Sequence, residues 1–237
     1  MKIWIDAGHG GKDPGAVGGG LKEKDIALSV ALKVGKILKN RGLNVDYTRT
    51  TDVFLPISKR EGTTRMDKAN KANADIFVSI HCNSAANTSA QGLEVFSYPT
   101  SNKGTKLSEA IYNNVKSKGL YTKLRGTKKA NFAVLRETRA VAALIELAFI
   151  SNAEDRKLLI NKQNEFAEAI ANGICEYLGV KQMENKKDYQ GHWAEEAIEE
   201  VKQAGIMIGF EDGNFRPNEP VSRAELATVI SKMLKKN

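Results

Sequence analysis

Ala142-Ala143-Leu144-Ile145-Glu146-Leu147-Ala148-Phe149-Ile150 is a nearly unbroken apolar run with a single ionisable residue inside it. It reads as a central strand, and Glu146 then stands in a setting hostile to charge. A shorter run, Ile76-Phe77-Val78-Ser79-Ile80, is bounded by polar residues, rich in β-formers, and reads as a second buried strand. Working outward, Lys2–Asp6, Leu43–Thr48 and Gly92–Tyr98 are further strand candidates. Between them the period changes. Ile26, Val30, Val34, Ile37 and Leu38 recur at helical spacing and stop at Asn40-Arg41-Gly42, where glycine supplies a left-handed cap. Helices are also expected from about Ser58, over Asn102–Lys118, and from a Ser151/Glu154 capping box to about Leu178 with a break near Asn161–Gln163. Strands alternating with helices predict an α/β domain, with a mixed, largely parallel sheet flanked by helices.

That domain is expected over residues 1–178. Residues 179–187 include the polar stretch Lys181–Lys187 and read as a linker. Residues 188–237 follow another grammar: a helix over about Trp193–Ala204, a loop with Gly205, Gly209, Gly213, Pro217 and Pro220, and a helix from Arg223 capped by Ser222. A small helical module of this size holds little core of its own, so it is expected to dock on the main domain or on copies of itself.

The chain of 237 residues carries a net charge of +8, unevenly spread. Up to Val180 there are 27 Lys and Arg against 18 Asp and Glu, and beyond it 9 against 10. A basic domain suits polyanions in general. Nucleic acid is disfavoured because neither zinc-finger spacing nor an aromatic-interleaved basic pattern accompanies the charge. Cys82 and Cys175 are far apart in sequence, which argues against a disulfide framework. No stretch approaches the roughly 20 apolar residues of a spanning helix. Met1 runs directly into the first strand, so neither membrane insertion nor an export signal is expected.

The loop Gly8-His9-Gly10-Gly11-Lys12-Asp13-Pro14-Gly15-Ala16 follows the first strand, where ligands bind in open α/β sheets. Nucleotide motifs fail here. Asp13 replaces the third glycine of a dinucleotide fingerprint, and Asp6 stands five residues before Gly11 where a P-loop needs glycine. What remains is a turn presenting an imidazole, with a second, His81, just after the strand ending at Ile80. With Glu23, before the first helical repeat, they make two imidazoles and a carboxylate, the open ligand set of a catalytic zinc ion. Each has a plainer reading: His9 as a turn residue, Glu23 as complement to a helix N-terminus, His81 as a satisfied core histidine. Glu146 either pairs with Arg136 or Arg139, or faces the metal site as a general base. Cys82 adjoins His81, so strand alternation turns it towards the core.

At these residues the chain resembles the zinc-dependent N-acetylmuramoyl-L-alanine amidases of the type-3 amidase family, over about residues 1–178. The likeness is carried by Asp6-Ala7-Gly8-His9-Gly10-Gly11 with Asp13-Pro14-Gly15-Ala16, by Leu21-Lys22-Glu23-Lys24-Asp25, by Ser79-Ile80-His81-Cys82-Asn83, and by Ile145-Glu146-Leu147-Ala148-Phe149-Ile150-Ser151-Asn152. Val141 stands where the family often has proline, and Ala148 where it often has glycine. The resemblance implies one zinc ion on His9, Glu23 and His81, a catalytic Glu146, and cleavage of the amide between N-acetylmuramic acid and the L-alanine of the peptidoglycan stem peptide. A zinc peptidase cutting within the stem peptide is the alternative.

From about Asp188 to Leu234 the tail resembles a single S-layer-homology motif, through Gly191-His192-Trp193-Ala194, Gly209-Phe210-Glu211-Asp212-Gly213-Asn214-Phe215-Arg216-Pro217-Asn218 and Ser222-Arg223-Ala224-Glu225. That resemblance implies binding of anionic secondary cell-wall polymers, with Trp193 and Arg223 as contacts and self-association as a means of multiplying one motif. A wall hydrolase without an export signal is expected to be a phage endolysin released at lysis, with a bacterial autolysin as the alternative.

Overall fold

The computed structural model describes residues 1–180, 187–210 and 214–234. The chain divides into two units, Met1–Lys181 and Gln182–Asn237. Most of the expected linker, residues 181–186, lies outside the described residues.

In the first unit the elements run β1 (Lys2–Ala7), β2 (Val17–Gly18), β3 (Leu21–Lys22), α1 (Glu23–Asn40), β4 (Asn44–Tyr47), α2 (Arg65–Lys71), β5 (Ile76–Asn83), β6 (Leu93–Ser97), α3 (Asn102–Ser117), β7 (Leu124–Lys129), α4 (Ala133–Arg136), β8 (Val141–Phe149), α5 (Ala153–Asn161) and α6 (Gln163–Tyr177). Six strands form one sheet in the order β4-β1-β5-β8-β6-β7. All neighbours are parallel except β6 and β8. The mixed, largely parallel sheet is therefore present, with β8 in its interior.

Strand alternation sorts the side chains onto two unequal faces. Ile3, Ile5 and Ala7 of β1, Val78, Ile80 and Cys82 of β5, and Ala143, Ile145 and Leu147 of β8 enter the larger core, with residues of α1, α3 and α6. Trp4, Phe77, Ala142 and Leu144 point the other way, into a smaller cluster with Met66 and Ala69 of α2 and Val134 and Leu135 of α4. The short helices α2 and α4 leave part of this second face thinly covered. Asp6, Ser79, His81, Glu94 and Glu146 share its parity.

Local chemistry explains where elements stop. At the end of α1 the Gly42 N–H donates to the Lys39 carbonyl at 2.9 Å and the Leu43 N–H to that of Leu38 at 3.1 Å, with Gly42 at φ 77°. This Schellman closure needs a residue without a Cβ penalty. Two helix starts in this unit differ from expectation. α2 begins at Arg65, because Thr64 and Asp67 cap each other's backbone N–H groups, while Ser58 starts only a single 3₁₀ turn. Asn152, not Ser151, caps α5, accepting the N–H groups of Glu154 and Asp155. The Ser151 hydroxyl accepts the Ala85 N–H instead. The break between α5 and α6 falls at Lys162, as expected. At the start of β8 the Val141 N–H donates to the Asp75 carbonyl at 3.0 Å, a bond a proline could not make.

The second unit contains α7 (Glu195–Gln203) and α8 (Arg223–Leu234). Tyr189 and Ile198 are its buried apolar side chains among the described residues. Tyr189 meets Phe215 edge-on at 5.6 Å, and the Asp188 carboxylate accepts the Phe215 and Arg216 N–H groups. Ser222 caps α8 by accepting the Glu225 N–H, as expected. So small a core matches the module's length. No helix among the described residues is long and apolar enough to cross a membrane.

Candidate metal centre

The first ligand candidate comes from the turn after β1. His9 adopts φ 57°, an uncommon left-handed conformation for a residue with a Cβ, and it aims the ring across the sheet edge. Its Nδ1 lies 2.8 Å from Asp13 Oδ2. A neutral ring that keeps its proton on Nδ1 for this carboxylate presents a bare Nε2 on the other side. Nε2 is 3.1 Å from Glu23 Oε1. Glu23 is the first residue of α1, yet its side chain turns back into the turn. Its Oε2 accepts the Ala16 N–H at 2.8 Å, and its Oε1 accepts the Cys82 N–H at 3.0 Å. His81 supplies the other nitrogen, with Nδ1 2.8 Å from Glu23 Oε1.

The three donor atoms thus lie within 4.8 Å of one another, with Glu23 buried and both rings part-exposed. Two nitrogens and one carboxylate oxygen match the donor set that a catalytic zinc ion takes. Burial works against charge on Glu23, but hydrogen bonds and attraction from His81 and His9 outweigh it and hold this carboxyl far below the usual carboxylate range. Burial likewise disfavours charged His9, but Glu23 and Asp13 raise its pKa on balance.

Two glycines make this convergence possible. A Cβ on Gly8 would lie 2.4 Å from Cε1 of His81, and one on Gly15 would lie 2.6 Å from both Glu23 Oε2 and the His9 ring. Two buried arginines hold the turn from beneath. Arg49 donates to the carbonyls of Ala7, Gly8 and Lys24, and Arg65 to those of Ala7, His9 and Leu55. Arg65 is itself anchored on Asp6 at 2.8 Å, and Ser79 donates to the other Asp6 oxygen at 2.6 Å.

Glu146 lies directly opposite His81 in the parallel β5–β8 register and opposite Glu94 in the antiparallel β6–β8 register. Neither arginine offered by the sequence reaches it: Arg136 donates to Asn131 and Glu137, and Arg139 to Asn70. The Glu146 Oε2 is buried with no hydrogen-bond partner among the described residues. Burial first, then the negative charges of Glu23 and Glu94, push its pKa up to about 7, against a lowering pull from His81 and His9. A carboxyl poised there can both take and return a proton near neutral pH.

The structure brings together His9, Glu23, His81 and Glu146. His81 sits within β5 rather than just after it, because pairing with β8 continues to Asn83 through a register shift. Cys82 faces the larger core, and burial raises its thiol well above the ordinary value, so it does not compete for metal. Trp193 is 92% exposed and its ring lies 5.5 Å from that of His192, so it is not a core residue of its unit. Arg223 is exposed at the start of α8. Sequence reasoning missed Asp13 as the partner of His9, Arg49 and Arg65 beneath the turn, and Glu94 beside Glu146. Of these, only Asp13, four residues from His9, carried a local signal.

The N-acetylmuramoyl-L-alanine amidase family model matches residues 3–176, and the S-layer homology domain model matches residues 187–227. The endolysin of Bacillus phage SPP1 is 41% identical over 189 residues, covering 76% of this chain and 66% of the endolysin. The sporulation-specific N-acetylmuramoyl-L-alanine amidase of Bacillus subtilis is 36% identical, covering 79% of this chain and 69% of its own. Among solved structures, the N-acetylmuramoyl-L-alanine amidase AmiC2 of Nostoc punctiforme superposes with a TM-score of 0.69 at 40% identity, covering 76% of this chain and 97% of its own.

Proposed function

Because the chain belongs to the N-acetylmuramoyl-L-alanine amidase family and is a peptidoglycan hydrolase of that kind, we propose that it cuts the muramyl–L-alanine amide with water activated by one zinc ion on His9, Glu23 and His81. The observation that carries this reading is the convergence of three donor atoms beside the Glu146 carboxyl on the neighbouring strand, whose Oε2 is buried without a hydrogen-bond partner among the described residues. A bound zinc ion supplies a Lewis acid for the scissile carbonyl and lowers the pKa of water. Asp13 keeps the His9 proton on Nδ1, and the Ala16 and Cys82 N–H groups fix the Glu23 carboxylate. The Glu146 carboxyl takes a proton from the attacking water and returns it to the leaving L-alanine nitrogen, while the hydroxyl joins the lactyl carbonyl carbon.

In the second unit Trp193 and Arg223 offer an exposed ring and an exposed cation for an anionic secondary wall polymer. The resemblance to a phage endolysin supports action on the wall from within a lysing cell. Digested wall should show new L-alanine amino termini without new reducing sugar ends, and stoichiometric zinc should leave on His81→Ala. New amino termini on any other stem residue would replace the amidase with the peptidase reading, and retained zinc in that variant would sink the ligand set. Trp193→Ala and Arg223→Ala should each weaken sedimentation with purified walls while soluble muramyl peptides are still cut. Unchanged sedimentation removes those contacts.

A further inference from the structure

The row of polar side chains on the thinly covered face does not end at Glu146. His81, Glu146 and Glu94 are register partners on β5, β8 and β6, and Arg125 on β7 reaches Glu94 where the β6–β7 register shifts. Glu94 is buried, its side chain 5% exposed, yet it accepts from both Arg125 Nε and Lys128 Nζ on β7 and from the Asn83 amide. Cations on an edge strand ordinarily project into solvent and guard the edge. These two instead turn inward onto one carboxylate, which neutralises one of them and leaves a surplus positive charge. The Arg125 guanidinium lies 5.1 Å from the Phe149 ring centroid, and its terminal amino groups donate to no acceptor among the described residues. With side chains 30% and 40% exposed, Arg125 and Lys128 keep donors open to solvent while their anchor is closed off.

We propose that Arg125 and Lys128, held side by side by the buried Glu94 one strand from Glu146, form a subsite for a carboxylate of the stem peptide beyond the scissile amide. The proposal rests on the amidase reading above. Strands are about 4.8 Å apart, so the pair lies on the order of 10 Å across the sheet from Glu146, roughly two or three extended residues. The stem peptide carries free carboxylates and the glycan none, so a cationic subsite orients the substrate with its peptide towards β7 and its sugar towards the His9 turn. Glu94 is a positioning residue: it touches no substrate and fixes the separation of the two cations.

The test uses the full-length zinc-loaded protein and two soluble muramyl peptides that differ only in a free carboxylate or a carboxamide on the residue after L-alanine. Wild type should prefer the carboxylate by about tenfold or more in kcat/KM, mostly through KM, as a charge-assisted contact provides. Arg125→Met and Lys128→Met should each shrink that ratio. The triple variant Glu94→Gln, Arg125→Met, Lys128→Met removes the buried charge together with its partners, so it is not left with an unpaired carboxylate. It should bring the ratio close to one with zinc content intact, whatever change the loss of Glu94 makes to the rate common to both substrates. A wild-type ratio of one, or variants that lose both substrates in equal proportion, overturns the subsite while the amidase stands. Losses confined to walls bearing phosphate polymers reassign the cations to wall phosphate and also overturn it. Cleavage of neither peptide by wild type strikes the amidase reading itself.

Discussion

Glu146→Gln, studied in protein stripped of metal by chelation, isolates the energetic state of the proposed base from its chemistry. The carboxyl lies in β8 with Oε2 buried and unpartnered, and burial with Glu23 and Glu94 moves its pKa from 4.5 to about 7. An acid whose folded pKa is raised stabilises nothing when ionised. Folding is unpenalised below the unfolded value, and the penalty grows as pH rises from about 4.5 through about 7, levelling off above. Over that interval the loss amounts to roughly 3 kcal/mol, an order-of-magnitude figure. The neutral amide of glutamine feels no such penalty. Urea unfolding at pH 5 should therefore find the two proteins nearly equal, and at pH 8.5 the Gln variant should be more stable by ~2–3 kcal/mol. With zinc restored, that variant should bind metal and hydrolyse no wall. A pH-independent difference between the two proteins would refute the reasoning, because it would mean that Glu146 has a partner for its charge in the folded state.

Asp13→Ala should leave the three ligands in place but weaken zinc binding by about 10–100-fold, read by competition with a chelating dye, because His9 loses the acceptor that fixes its proton on Nδ1. Gly8→Ala changes no ligand, yet its Cβ would collide with the His81 ring, so zinc stoichiometry and wall lysis should fall together. Asp6→Ala should cost about 3–5 kcal/mol in denaturant unfolding by orphaning buried Arg65. Burial alone would raise Asp6, but Arg65, Ser79 and Thr48 hold it below its ordinary range. Its contribution is thus complete above about pH 3.9 and is lost as pH falls through the lower folded value, so Asp6→Asn should show a flatter acid limb than wild type.

The fold was largely legible because period carries fold class. A continuous apolar run at Ala142–Ile150 and a helical recurrence from Ile26 to Leu38 suffice to place strands and helices in alternation. Even the direction of Cys82 followed from alternation, and the core contacts bear it out. β7 was not legible: Leu124-Arg125-Gly126-Thr127-Lys128-Lys129 has neither an apolar run nor clear alternation, and it is a strand because β6 offers it an edge. Boundaries set by competition among caps were also out of reach. Ser58, Thr64, Ser151 and Asn152 are all good capping residues, and tertiary contacts chose between them. In the site, residue types announced His9, Glu23, His81 and Glu146. Arg65 and Asp6 are 59 residues apart and meet only because β1 and α2 fold over one another.

The four residues that sequence could name also share a logic that only the structure exposes. Glu23 and Glu146 carry the same carboxyl group, lie on either side of His81, and are driven in opposite directions. Glu23 is met by two imidazoles and two backbone N–H groups, so it stays an anion fit to hold a cation. For Glu146, burial and the charges of Glu23 and Glu94 outweigh the pull of His81 and His9, so it retains affinity for a proton. Environments that push two like groups apart are how a site assigns ligand and base without changing residue type. Glu94 completes the pattern: placed one strand beyond Glu146, it would compete for protons if it were bare, and the two β7 cations keep it ionised below the usual carboxylate range although burial raises it. On the readings proposed above, the pair therefore serves the base from one side and the substrate from the other, and both roles depend on Arg125 and Lys128 remaining charged.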